Sequence, residues 1–211
     1  SASMGVVLAV PDGEHSAPLV ALRRRAMGGE LPRLAHWPSR GDVHEMNLKE
    51  LTALFRKLGA PDPGQWARSQ RDEGIDQVAR FVFLREAWKA VVAPDDVRWI
   101  DQTLGGEQPG RSEPCSGLGP ALTRMLAAGA EREDIHEVVR VMQYELLFAL
   151  CYLLEDPGAL EDEIADLSWQ LVRTNADGEA VGPIDGLHES LLELDPSGRE
   201  MRPARSRKTS A

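Results

Sequence analysis

The run Leu146–Leu154 (LLFALCYLL) constrains the fold of this chain more than any other stretch. Nine apolar residues in a row are about half of what a helix needs to cross a bilayer, so the run reads as a core element. It closes a longer helical pattern, about Glu131–Leu154. Glu131, Glu133 and Asp134 stand at its start, where the positive end of a helix dipole favours acids. Ile135, Val138, Val139, Met142, Leu146, Ala149, Leu150 and Leu153 make one apolar stripe; Val141, Phe148 and Tyr152 make a second. From Leu146 onward the pattern is apolar all round. A helix of that kind is expected to be covered on nearly every side. The expected fold is therefore mainly all-α: a helical bundle around a central apolar helix, with a small C-terminal hairpin or irregular element.

The flanking sequence supplies the other helices. Asn47 followed by Glu50 is a capping-box variant, and Leu48, Leu51, Leu54, Phe55 and Leu58 then share one face, closed by Gly59. A second helical stretch spans roughly Gly64–Ala93, with an interruption at Gly74. Its later half turns Ile75, Val78, Phe81, Val82, Leu84, Trp88 and Val91 inward and leaves Asp76 and Arg80 on the opposite side. Pro94 opens a further helix to Leu104, and Leu118–Ala128 form another. Between them, residues 105–117 hold four glycines and two prolines and read as a linker or a lid. After Pro157-Gly158 the spacing of Leu160, Ile164, Leu167 and Leu171 predicts an acidic helix over Ala159–Val172. Asn175–Gly178 and Pro196–Gly198 read as turns, so a small hairpin or irregular wrap is expected within the C-terminal forty residues. Near the N-terminus, Gly5–Val10 suggests a strand or arm and Pro18–Met27 a short helix. The division expected is one mostly helical domain over 4–202, with a possible break at 105–117, and a basic tail over 203–211.

Charge narrows the partners. The chain carries a formal −10, but Arg199–Ala211 holds five bases against one acid and is +4, which leaves −14 for the rest. Glu155–Asp166 contributes six acids and no base. Such a body repels phosphate backbones, so no nucleic acid is expected as a partner. The tail is expected to dock on an acidic patch of its own or a neighbouring copy. Two cysteines, Cys115 and Cys151, without CxxC spacing give neither a zinc ribbon nor a disulfide framework. With no membrane span or signal-peptide layout, the expected setting is the cytoplasm, with no membrane partner.

Few residues suggest chemistry. Glu145 has Val141, Met142, Phe148 and Ala149 as its helical neighbours, so it is either a carboxylate set in a pocket or one that finds an arginine or the surface. His136 and Arg140 lie four apart, with Gln143 beyond them, as a polar strip. His136-Glu137 begins like a zinc-protease motif, but position 140 is Arg where the second histidine belongs. Trp37 and Trp66 sit in or beside loops, where tryptophan either anchors a partner or closes the end of a core. Asn175–Glu179 resembles a calcium loop out of register. No dinucleotide fingerprint, phosphate loop or nucleophile elbow occurs, and no cofactor or metal is expected.

The reading these features favour is a bacterial-type protein–protein interaction or regulatory domain, immunity- or adaptor-like, whose acidic surface meets a basic protein partner or another copy of the chain as a homodimer. The alternative is a ligand-binding protein or enzyme with a pocket at the mouth of the bundle lined by Glu145, His136 and Arg140.

Overall fold

The computed structural model describes residues 43, 46–106, 116–156, 158, 160–175 and 177–203. Among these residues the protein is mainly α-helical, with one small antiparallel hairpin near the C-terminus. The helices are α1 (Leu48–Leu58), α2 (Pro63–Asp72), α3 (Gln77–Ala87, continued by a 3-10 turn over Trp88–Ala90), α4 (Arg98–Gly105), α5 (Leu118–Ala127), α6 (Arg132–Glu155) and the single turn α7 (Leu187–Ser190). Strands β1 (Val172–Thr174) and β2 (Ala180–Pro183) form the hairpin. The expected features at Gly5–Val10, Pro18–Met27, Trp37, Cys115 and the last eight residues lie outside the described residues.

Local chemistry sets the helix ends. The Asn47 side chain accepts from the backbone N–H groups of Lys49 and Glu50 at 3.0 and 3.1 Å, and Glu50 returns a bond to the Asn47 N–H at 2.9 Å. The capping box read from the sequence is complete. Gly59 closes α1 at φ 87°, a left-handed turn that a Cβ would strain. The interruption expected at Gly74 is real: α2 ends at Asp72, and Asp76 caps α3 through Ala79 N–H.

The chain falls into two compact units. Of the described residues, those from Val43 to Pro94 and from Val139 onward make the first. Its core has an aromatic centre in Phe55, Trp66 and Phe81, with ring centroids 5.4–6.0 Å apart and tilted or edge-on contacts. A second cluster joins Leu84, Trp88 and Val91 to Cys151 of α6 and to Ile184, Leu187 and Leu191. The Asp95–Val138 unit packs Ile100 of α4, Leu122 of α5 and Ile135 of α6 together, with Trp99, Leu104 and Leu126 around them.

Two expectations need correction. The acidic helix over Ala159–Val172 does not form; only a 3-10 turn at Asp162–Ile164 does. Helical spacing would stack like charges such as Asp162 and Asp166 and leave Ile164 and Leu167 facing water, where they are in any case. The small C-terminal hairpin expected from the sequence does form, around the Asn175–Gly178 turn. Asn175 Oδ1 accepts from Asp177 and Glu179 N–H at 3.0 Å each and holds that turn. The second correction concerns α6 itself, which is not wrapped on every side.

Candidate functional site

Helix α6 buries one face and exposes another, and both are apolar. The covered side is Tyr144, Leu147, Phe148, Cys151 and Leu154, packed with the Trp88–Leu187–Leu191 cluster. Tyr144 stacks on Trp88 with centroids 6.0 Å apart. The opposite side carries Met142, Leu146, Leu150 and Leu153, which are 64, 61, 46 and 46% exposed. The expectation that the helix is covered on nearly every side from Leu146 onward is therefore overturned. The aromatic rings and Arg140 occupy the other side, and a single helix cannot turn both stripes into one cluster. Between Met142 and Leu153 the stripe runs about 16 Å at 1.5 Å per residue. Val138, one turn earlier on α6, is also exposed. The exposed charged residues of α6 are Glu133, Asp134, Glu137 and Glu145, all acidic. Its bases are engaged elsewhere: Arg132 pairs with Asp101 at 2.9 Å, and Arg140 is buried.

The residues singled out in the sequence fall in different settings. Glu145 is exposed at the edge of the stripe, so it needs no buried partner. Arg140 is on the covered side, so the two do not converge. Its Nη2 pairs with Asp195, its Nη1 donates to the Val92 carbonyl at 2.6 Å, and its guanidinium lies 5.5 Å from the Trp88 ring centre. His136, read as part of a surface strip, is buried. Its Nδ1 accepts from Trp99 Nε1 at 3.0 Å, which puts the proton of the neutral ring on Nε2. Gln143 accepts from Val92 N–H at 2.7 Å. Trp66 is core, with its indole N–H on Glu193 Oε1 at 3.0 Å. Cys151 is buried, and burial beside Glu155 pushes its thiol up to about 11, which leaves it unreactive.

Sequence reasoning missed the polar residues between residues 185 and 201 that anchor the C-terminal segment. Asp195 is fully buried at its side chain. Besides Arg140, it accepts from Ser197 Oγ, from Ser197 N–H at 3.0 Å and from Met201 N–H at 2.8 Å. Burial works to raise the Asp195 carboxyl, but these donors and the Arg140 charge outweigh it and hold the carboxyl below its ordinary value. Glu155, the last residue of α6, accepts from Leu187 N–H and faces His188 Nδ1 at 3.2 Å. The Asp195-Pro-Ser sequence is the one local signal, since Asp two residues before Ser favours an Asx turn.

An open cleft of about 520 Å³ lies between the start of α3 and the hairpin. Arg80 and Arg173 line it, together with Asp76, Asp185, Ile75 and Val181. Among the described residues, no group of three or more His, Cys, Asp or Glu side chains is placed to hold a metal. No helix among them is long and apolar enough to cross a membrane. No family model, curated protein or solved structure matches this chain.

Proposed function

We propose that this chain is a protein–protein interaction or regulatory domain that uses the exposed face of α6 to dock a basic partner. The carrying observation is the row Met142, Leu146, Leu150 and Leu153, left in water along one helix with the exposed Glu145 at its edge. Apolar residues scattered singly over a surface need no explanation, whereas a continuous row on a rigid helix marks a contact face. The partner that fits is a segment with apolar side chains at helical spacing and Lys or Arg beside them. A second copy of the chain fits less well, because pairing two α6 faces sets acids against acids.

The probe is a designed amphipathic helical peptide with Leu at i, i+3, i+4 and i+7 and Lys flanks, titrated by fluorescence anisotropy. Binding is expected to weaken as salt rises, and to fall about ten-fold or more in Leu146→Glu while the melting temperature stays unchanged. No binding to the native protein, or equal binding to Leu146→Glu, overturns the reading. So does a concentration-dependent dimer in sedimentation that Leu146→Glu abolishes, since that assigns the face to a second copy.

A further inference from the structure

We propose that the cleft between α3 and the hairpin is a binding site for a small organic oxyanion, a carboxylate or phosphate monoester, gripped by Arg80 and Arg173. Arg80 is 6% exposed, although the sequence places it on the polar side of its helix. Its Nε donates to the Asp185 carbonyl, and its Nη1 reaches Ser190 Oγ only at 3.4 Å. Among the described residues, no carboxylate forms an ion pair with it. Glu189, Glu155 and Asp185 act on it from farther away, and burial lowers its pKa. A guanidinium stays charged in a protein, so its removal from water has been met here without the bidentate carboxylate that usually accompanies it.

The second cation is also incompletely used. Arg173 of β1 spends its Nε on Asp76 Oδ2 at 2.6 Å, and its side chain is 14% exposed. The other oxygen of Asp76 caps α3 through Ala79 N–H at 3.2 Å, so this carboxylate serves a cation and a helix end together. Asp185 is exposed, with Gln170 at 3.4 Å from its carboxylate. Arg80 and Arg173 therefore line one cavity, and neither has a bidentate carboxylate of its own. The volume, about 520 Å³, is in the range of small-molecule sites and leaves room for a carbon skeleton against Ile75, Val181 and Pro183. The backbone holds Arg80 in place: Gly186 has φ 69°, and a Cβ there would overlap the Arg80 guanidinium.

The test uses the full chain and phenyl phosphate, benzoate and inorganic phosphate as probes, followed by NMR shifts and calorimetry. Phenyl phosphate or benzoate is expected to bind and to shift the Arg80, Arg173 and Val181 signals. In Arg173→Gln the affinity should fall about ten-fold or more, and Arg173→Lys should restore part of it. Thermal melts of both variants verify that they fold. Absence of saturable binding by both organic probes overturns the proposal. Equal affinity in Arg173→Gln, or shifts confined to other surfaces, does so as well. Phenyl phosphate with inorganic phosphate, against benzoate alone, separates a phosphate site from a carboxylate site.

Discussion

Asp195 shows how much of this fold rests on single polar side chains. Its carboxylate, buried with Arg140 of α6, also joins the half-buried turn at Ser197 and the Met201 N–H. A buried ion pair adds little over an apolar pair of the same shape, but losing one partner strands the other. Asp195→Ala is expected to cost about 3–5 kcal/mol, read from urea unfolding. The dependence on pH follows from the depressed carboxyl. The folded state holds the charge more tightly than the unfolded chain, so the contribution is whole above the ordinary value of 3.8 and is lost as pH falls through the lower folded value. The melting-temperature gap between the native protein and Asp195→Asn should narrow between neutral pH and pH 2, and a gap that is constant over that range refutes the assignment. None of this is legible in the sequence. Arg140 reads as a surface residue from its spacing to His136, because helical periodicity reports which residues share a side and not what that side meets. Arg80 reads as a surface residue for the same reason.

At the scale of elements, sequence signals are most faithful where the information is local. The box at Asn47, the stop at Gly59 and the break near Gly74 all form where composition puts them. Asn47→Ala should lower stability by about 1 kcal/mol, with the loss concentrated in amide exchange of the first turn of α1. Exchange rates unaltered at Lys49 and Glu50 would show that the cap is idle. Helix α6 is legible in its extent but not in its orientation. Two apolar stripes give no basis for choosing the buried one. The choice falls to the side carrying Tyr144 and Phe148, whose rings reach Trp88 and His188. The candidate contact face is what remains after that choice. The acidic segment after Pro157 fails as a helix because its periodicity has no surface to pack on and its like charges repel.

Over the whole molecule the mainly all-α class follows from patterning alone, while the division into two units does not. The boundary of the Asp95–Val138 unit falls inside α6, at a position that no glycine, proline or composition shift marks. Charge acts at this scale too. The sequence pI is about 5.0, so acidification toward pH 5 brings the net charge near zero while the apolar row on α6 stays exposed. Light scattering is expected to rise between pH 7 and pH 5, and less so for Leu146→Glu. Scattering that stays flat, or rises equally in both, assigns no role to that row.

The packing of Arg80 against Gly186 ties two distant positions into one choice. A chain with any side chain at 186 must shorten or turn away residue 80, and one that keeps the arginine in this pose must keep hydrogen at 186. Substitutions at 186 are accordingly expected to depend on residue 80: a library randomised at both should return a larger residue at 186 mostly with a small one at 80, and rarely with Arg80.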